Sequence, residues 1–187
     1  MRVIAGEAKG HRLQAPRGRR ARPTSGRVRA AIFSMLPSIV PLPRRALDLY
    51  AGSGALGIEA LSRGVEQVDF VERDRRHCQT IRQNLAAAGL AGQGRVLCGR
   101  AQSILPRLEG AYDVVFLDPP YGDPSLPALL EELGDSPLLS GESAVVVERS
   151  SRQTLKDTFG RLRLVRELRH GDTAVSVYKL NGREEKE

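Results

Sequence analysis

From residue 46 onward, short apolar runs alternate with longer segments in which apolar residues recur every three or four positions. The runs predict strands, and the longer segments include predicted helices. The predicted strands are 46–50, 67–72, 95–98, 113–117 and 144–148, and the predicted helices are 54–63, 74–89, 101–108 and 125–133. Strands that are apolar throughout and alternate with helices indicate a parallel sheet covered on both faces, so we predict a doubly wound α/β fold.

The two ends of the chain depart from this alternation. Segments 161–169 and 173–180 are joined by His170-Gly171-Asp172, a hairpin signal, so we expect the last two of seven strands to be antiparallel. Segments 2–5 and 11–14 predict a small N-terminal β-hairpin, and 15–23 is too rich in Pro, Gly and Arg for regular structure. A helix capped by Thr24 or Ser25 follows, with one apolar face. That face comprises Val28, Ile32, Met35 and Leu36.

We therefore divide the chain into an extension at 1–45, a main domain at 46–180 and a frayed tail at 181–187. Its 187 residues, 41% of them hydrophobic, suit one core. No run is long enough for a membrane span and no apolar leader is visible, so we expect a cytoplasmic protein.

Cys78 and Cys98 match no metal-ligand spacing, so we expect reduced structural thiols and no bound metal.

Charge is distributed unevenly along the chain. Residues 1–45 hold ten arginines and Lys9 against Glu7 alone, a net charge of +10, whereas the remainder carries −3 within the overall +7. A basic segment on a mildly acidic body favours a polyanionic partner, because neutralising phosphates releases condensed counterions. A merely solvated arginine-rich surface is the alternative.

A glycine-rich turn follows the first strand of the main domain. Gly52, Gly54 and Gly57 fit G-x-G-x-x-G between a strand and a helix, which indicates close approach of a ligand to the backbone. Asp48 would repel a pyrophosphate but attract an ammonium, and Glu72, at the end of the next strand, suits the hydroxyls of an adenosine ribose. These residues favour S-adenosylmethionine over a dinucleotide; the alternative is a glycine turn beside two solvated acids.

A rigid polar corner, Asp118-Pro119-Pro120-Tyr121, ends the fourth strand, at the edge of the sheet where the glycine turn also lies. Its chemistry suits an exocyclic amino group attacking a methyl sulfonium. The Asp118 carboxylate and the Pro119 carbonyl can accept the two N–H groups, and Tyr121 can stack on the base. Consecutive prolines fix the backbone that carries the carbonyl. A Pro-Pro turn with Asp118 as a cap is the alternative.

The residues from Asp48 to Gly57, Glu72 and Asp118 to Tyr121 resemble the S-adenosylmethionine-dependent amino methyltransferases, which have a Rossmann-like class I fold. Segments 22–36 and 47–64 are similar to the bacterial D-type small-subunit ribosomal RNA guanine-N2 methyltransferases. The resemblance implies methylation of one guanine of 16S ribosomal RNA, guanine 966 in the family, within the assembled or assembling 30S subunit. It also implies a monomer that needs neither a membrane nor a metal.

The resemblance assigns roles to three groups of residues. The catalytic residues are Asp118, Pro119, Pro120 and Tyr121. The cofactor-binding residues are Asp48, Tyr50, Ala51, Gly52, Ser53, Gly54, Gly57, Glu72, Arg73, Arg100, Ala101 and Asp118. The RNA-binding residues are Arg12, Arg17, Arg19, Arg20, Arg22, Thr24, Arg27 and Arg29. Two positions depart from the family pattern: Ala30 stands where an acid is usual, and Arg100 where Asp or Asn often meets the adenine.

Three other functions remain open on the sequence alone. An adenine-N6 methyltransferase shares the Asp-Pro-Pro-Tyr corner but usually carries a separate target-recognition domain. A glutamine methyltransferase acting on a release factor favours Asn at position 118 and has no need of a basic arm. A non-catalytic RNA-binding module would bind RNA without S-adenosylmethionine.

Overall fold

The computed structural model describes residues 1–15 and 25–181. Its helices are α1 (Gly26–Met35), α2 (Ala55–Ser62), α3 (Arg75–Ala87), α4 (Ala101–Ile104) and α5 (Leu126–Asp135), with single 3-10 turns at Leu36–Ser38 and Leu105–Arg107. Its strands are β1 (Arg45–Leu49), β2 (Gln67–Glu72), β3 (Gly94–Cys98), β4 (Tyr112–Leu117), β5 (Leu139–Ser150), β6 (Thr158–Phe159), β7 (Leu162–His170) and β8 (Thr173–Leu180).

These strands form one sheet in the order β3-β2-β1-β4-β5-β8-β7-β6. The first five are parallel, and β8, β7 and β6 continue the sheet in antiparallel fashion. The α/β class and the antiparallel end are confirmed, but the predicted count of seven strands is wrong. The eighth strand, β6, has two residues and is too short to produce an alternating pattern; β5 also begins five residues earlier than predicted.

The sheet is covered on both faces because its central strands are apolar on both sides. Leu47, Leu49, Val115 and Leu117 pack on one face, whereas Phe116 and its neighbours pack on the other. All of these side chains are essentially inaccessible to water. Burial on both faces accounts for the continuous apolar runs in the sequence.

The N-terminal segment packs on the face of the sheet that carries α1, α2 and α3. Val3 and Leu13 belong to the same buried cluster as Phe116. The predicted hairpin is reduced to a single antiparallel bridge between Arg2 and Arg12, supported by a 3.0 Å bond from Val3 N to the His11 carbonyl. Helix α1 begins where predicted.

The cap of α1 is one of the two residues proposed from the sequence. Ser25 Oγ accepts a hydrogen bond from Val28 N at 3.2 Å, which satisfies one of the free amides of the first turn. The four residues predicted for the apolar face are buried: Val28, Ile32, Met35 and Leu36.

The expectation of two separate thiols is wrong. Cys78 in α3 and Cys98 at the end of β3 form a disulfide, with Cα atoms 6.2 Å apart. Their sequence separation of 20 residues gave no sign of this pairing. The two residues meet because α3 packs back onto β2 and β3.

Strand β7 lies near one edge of the sheet. In the part of the chain described, β6 pairs only with Leu162 and Arg163, so the rest of β7 borders β8 on one side only. A register shift between Leu164 and Arg166 marks a bulge at Val165, which is 51% exposed. Arg166 and Arg169 are also exposed along this edge.

Candidate active site

The glycine turn joins β1 to α2 through backbone conformations that most residues avoid. Gly52 and Gly54 have φ of 56° and 77°, and Tyr50, directly before them, is the non-glycine residue at positive φ among those described, at 61°. Gly54 N donates to the Ala51 carbonyl at 2.7 Å, which closes the turn. The predicted loop is therefore a tight turn at the end of β1, in which Gly52 is half-buried and the residues on either side of it are buried.

Gly57 serves close packing between helix and strand. A Cβ atom at this position would lie 2.3 Å from Phe70 Cε1 and 2.9 Å from Val68 Cγ1, both in β2. Only a glycine lets α2 approach the sheet this closely. The third glycine of the motif thus fixes the direction in which the first turn of α2 points.

Asp48 is buried beneath this turn, with 1% of its surface exposed. Its Oδ2 accepts a hydrogen bond from Gly57 N at 2.9 Å. Burial raises the pKa of Asp48 well above its usual range; the Gly57 bond opposes that rise, and the charges of Asp118 and Glu72 add to it. The sequence placed Asp48 near a ligand ammonium, and the structure adds a direct role in holding the N-terminal turn of α2.

Glu72, at the end of β2, is held by backbone amides on both sides. Its Oε2 accepts from Gly52 N at 2.9 Å and its Oε1 from Asp74 N at 2.8 Å. His77 Nδ1 lies 3.8 Å from the same Oε1. The two amides fix the plane of the carboxylate, and each oxygen keeps a second acceptor position for another donor.

The Asp118 corner and the glycine turn lie at the same edge of the sheet. In the β1–β4 register Leu49 pairs with Leu117, so Tyr50 and Asp118 follow on adjacent strands. The order of strands reverses between β1 and β4, the point at which open α/β sheets form a crevice for ligands. The structure therefore brings the two loops together, as expected from the sequence.

The Asp118 corner combines buried and exposed groups. Pro119 is buried, Asp118 is half-buried, and Pro120 is exposed. Asp123 N donates to the Pro120 carbonyl at 3.0 Å, and Gly122 has φ of 74°. This is the pattern of a type II turn with Tyr121 at its second position.

The side chain of Tyr121 is anchored through its hydroxyl. Its surface is 43% exposed, yet its hydroxyl lies 3.2 Å from Oγ1 of Thr173, the buried first residue of β8. Part of the residue is therefore accessible to solvent while its hydroxyl is held.

A cluster that sequence reasoning missed ties the same loop to the glycine turn. Gln102 Nε2 donates to Ser125 Oγ at 2.7 Å and to the Tyr50 hydroxyl at 3.4 Å. Burial tends to raise the pKa of Asp123, but hydrogen bonds from Ser125 and Tyr50 and the charge of Arg73 together lower it. Only the Gly-Asp-Pro-Ser composition of 122–125, which is typical of a turn and a helix cap, hinted at this cluster.

The remaining predicted cofactor residues follow the ends of β1, β2 and β3. Ala51 and Ser53 are buried in the glycine turn, and Arg73 is exposed at the end of β2. Arg100 is the exposed residue that precedes α4, and Ala101 is buried in its first turn. Their roles in binding a cofactor stay predictions.

The predicted RNA-binding residues divide into three groups. Arg12 and Arg27 are exposed, as an RNA contact requires. Arg17, Arg19, Arg20, Arg22 and Thr24 lie outside the described residues. Arg29 differs from the expectation, because its side chain is 2% exposed and its Nη2 donates to the Arg2 carbonyl at 2.6 Å.

Arg29 is buried because it faces a carboxylate that the sequence analysis did not single out. Glu59, in α2, is fully buried and lies 3.8 Å from Arg29 Nε. It also accepts from Ile4 N at 2.7 Å, Ala5 N at 3.0 Å and Arg63 Nε at 2.8 Å. An acid within the otherwise apolar segment Ala-Leu-Gly-Ile-Glu-Ala-Leu was the available signal. Arg29 and Glu59 attach the N-terminal segment to the sheet.

Two other kinds of site are absent from residues 1–15 and 25–181. None of the helices in these ranges is long and apolar enough to cross a membrane. The same residues contain no group of three or more His, Cys, Asp or Glu side chains arranged to hold a metal ion.

Comparison with known proteins identifies the family. The model of the family described as "Conserved hypothetical protein 95" matches residues 1–179. The chain is 39% identical to "Putative rRNA methyltransferase YlbH" of Bacillus subtilis, covering 97% of this chain and all of that one. It is 34% identical to "Ribosomal RNA small subunit methyltransferase D" of Escherichia coli, covering 96% of this chain and 89% of that one.

A solved structure has the same fold. "Putative methyltransferase yhhF" of Escherichia coli superposes with a TM-score of 0.81 at 34% identity, covering 97% of this chain and 98% of that one. The structural neighbours are Rossmann-like class I methyltransferases, as the glycine turn and the strand order lead one to expect. The chain belongs to the family of the bacterial small-subunit ribosomal RNA methyltransferases D.

Proposed function

We propose that this protein is a ribosomal RNA methyltransferase that transfers the methyl group of S-adenosylmethionine to N2 of a guanine in 16S ribosomal RNA. The observation that carries the proposal is the convergence of Asp48, Glu72 and Asp118 at the ends of three adjacent parallel strands. The names of the relatives support ribosomal RNA as the substrate.

The residues at the crevice fit S-adenosylmethionine by the chemistry of their donors and acceptors. Glu72, fixed by two amides, offers acceptors for the ribose hydroxyls. Asp48 supplies negative potential for the ammonium, and the backbone is open at Gly52, where a Cβ would meet only the Tyr50 carbonyl oxygen, at 3.9 Å. When bound, the cofactor supplies an electrophilic methyl group on a sulfonium centre.

Asp118 and Pro119 act on the nucleophile. A guanine amino group is conjugated with its ring and is a weak nucleophile, but it carries two N–H donors. Bonds to the Asp118 carboxylate and the Pro119 carbonyl would draw its nitrogen toward tetrahedral geometry and direct the lone pair. Burial of Pro119 and the turn after Pro120 keep the carbonyl in place, so orientation supplies most of the rate.

No strong general base is needed in this scheme. The amino nitrogen becomes much more acidic once it carries the transferred methyl group, so its proton can leave afterwards. The role of Asp118 is then to accept a hydrogen bond and to stabilise positive charge as it develops on nitrogen.

The basic N-terminal segment is proposed to bind RNA. Within the described residues, Arg12 and Arg27 are exposed on the face of the sheet that carries this segment. We also propose that residues 1–45 extend a methyltransferase domain at 46–180 and that the substrate is the assembled or assembling 30S subunit.

The test is transfer of radiolabelled methyl groups to small subunits and to naked 16S RNA, followed by digestion to nucleosides. N2-methylguanosine supports the proposal, whereas N6-methyladenosine would assign the corner to the adenine amine instead. Asp118→Ala should bind S-adenosylmethionine within about threefold of wild type in calorimetry and lose at least about 100-fold in turnover. RNA binding by the wild type without cofactor binding would indicate a non-catalytic module.

A further inference from the structure

Thr173 is linked to the proposed active site through one hydrogen bond that neither the motif nor the family resemblance includes. Its Oγ1 lies 3.2 Å from the Tyr121 hydroxyl, and either oxygen can donate. Thr173 is 6% exposed and begins β8, whereas Tyr121 is 43% exposed. A partly exposed tyrosine is thus fastened to a buried threonine 52 residues away in the chain.

The sheet explains why the bond reaches across the site. Strand β8 pairs with β5, and β5 pairs with β4, the strand that precedes the Asp118 corner. Thr173 pairs with Ser150 at the end of β5. The Tyr121 side chain therefore extends from the end of β4 over the end of β5 to the beginning of β8.

The backbone of Tyr121 is already fixed by the turn from Pro120 to Asp123. The position of the ring is then set by the two χ angles of the side chain. Fastening the hydroxyl at the far end of the ring restricts rotation about these angles. Thr173 is a stiff anchor, since it is β-branched and its backbone is paired on both sides, with β5 and with β7.

We propose that Thr173 is a positioning residue that holds the ring of Tyr121 ready to stack on the target base. This inference rests on the proposed function, in which Tyr121 supports a base turned toward the methyl donor. An aromatic ring fixed before binding spares the complex the entropy of ordering it, so the benefit should appear in RNA binding and turnover. Binding of S-adenosylmethionine should not depend on it.

The perturbation is Thr173→Val, which keeps the shape of the side chain and removes its hydroxyl. A neutral hydrogen bond of ordinary net strength corresponds to a change of about two- to tenfold, and we expect a loss of that size in kcat/KM for RNA. Thr173→Ser should restore activity to within about twofold of wild type, because it restores the oxygen. Thr158→Val, at an exposed position of β6, is the matched control and should have no effect.

A double-mutant cycle with Tyr121→Phe distinguishes this role from a general structural one. Tyr121→Phe keeps the ring but removes the same hydrogen bond from the other side. We expect each single variant to lose activity by a similar factor and the double variant to lose no more than either. Losses that multiply in the double variant, or a loss that accompanies weaker cofactor binding or a lower melting temperature, would overturn the proposal.

A second measurement does not depend on activity. The chain has four tyrosines, so NMR spectra of ring-labelled tyrosine are simple, and Tyr121→Phe assigns the signal. We expect the Tyr121 ring signal to move toward its random-coil position in Thr173→Val and not in Thr158→Val. An unchanged ring signal would refute the anchor even if methyl transfer were never detected, whereas a moved signal without transfer by the wild type would refute only the proposed function.

Discussion

The buried carboxylate of Glu59 allows a sharp test of how the N-terminal segment is attached. Glu59→Gln keeps the size of the side chain and removes its charge. The amide oxygen can still accept from one of the Ile4 and Ala5 amides, but the amide NH2 then faces the other. Arg29, which is 2% exposed, no longer has a carboxylate beside it, whereas Arg63 is partly exposed and can be hydrated.

The size of the effect follows from these interactions. Removing one partner of a buried ion pair costs about 3–5 kcal/mol, and an unpaired buried amide adds about 1–3 kcal/mol. Together these costs are about 4–8 kcal/mol. The melting temperature of a domain of this size falls by about 2–4 °C per kcal/mol, so we expect a decrease of at least about 8 °C. The free energy lost is a large part of a typical total stability of about 5–15 kcal/mol.

Glu66→Gln is the matched control. Glu66 pairs with Arg44 at 2.9 Å, close to the 2.8 Å between Glu59 and Arg63, but its side chain is 57% exposed and that of Arg44 is 77% exposed. Solvent screens such a pair, so we expect no resolvable change in melting temperature. Because the charged groups are nearly equally far apart in the two pairs, a difference between the two melting temperatures reports the effect of burial.

Thermal and urea unfolding followed by circular dichroism give the stabilities, since the chain has no tryptophan. Hydrogen exchange of the Ile4 and Ala5 amides reports whether the segment separates locally before the rest unfolds. Equal melting temperatures for the two variants, together with protected Ile4 and Ala5 amides in Glu59→Gln, would refute the reasoning.

Three further predictions concern packing, pH and RNA. Gly57→Ala should lower the free energy of unfolding by about 1–3 kcal/mol, because its Cβ would overlap Phe70. Gly92→Ala, whose Cβ meets no atom within 4 Å, should leave it unchanged. Urea unfolding of both variants tests this, and adding Phe70→Leu to Gly57→Ala should recover part of the lost stability. The pKa of Asp48 is raised in the folded state, so its ionisation opposes folding and stability falls as pH rises above the ordinary aspartate range. Asp48→Asn should therefore be more stable than wild type at neutral pH and should no longer be so below about pH 4, as melting curves across pH would show; an advantage that grew on acidification would contradict this sign. Replacing basic residues of the N-terminal segment by Gln should weaken RNA binding. The slope of log K against log salt concentration should fall by about 0.7–0.9 for each phosphate that is no longer neutralised, as measured by filter binding at several salt concentrations. An unchanged slope would mean that the replaced residues do not contact phosphate. The residues to replace are Arg12, Arg17, Arg19, Arg20, Arg22 and Arg27.

Local pattern was sufficient for much of the fold. The strand–glycine–helix signal at Gly52 to Gly57 and the cap at Ser25 depend on residues a few positions apart, and both were predicted correctly. The approach of Asp118 to the glycine turn followed from one further rule, that the ends of parallel strands share an edge.

What the sequence did not indicate depends on long-range interactions. Arg29 looked like one of many arginines in a basic segment, and only its position opposite Glu59, thirty residues away, makes it a buried residue. The bond between Tyr121 and Thr173 likewise joins two residues that local pattern does not relate. Strand β6 is too short to have a periodicity of its own.

The outer edge of β7 has a consequence for how the molecule behaves among its own copies. An unpaired strand edge invites a second chain to add hydrogen bonds to it, which leads to aggregation. Here the bulge at Val165 interrupts the regular edge, and the exposed side chains of Arg166 and Arg169 place charge along it. Bulges and edge charges are two of the features by which native sheets prevent such pairing. The sheet can therefore end in an unpaired edge strand while the protein resists edge-to-edge aggregation.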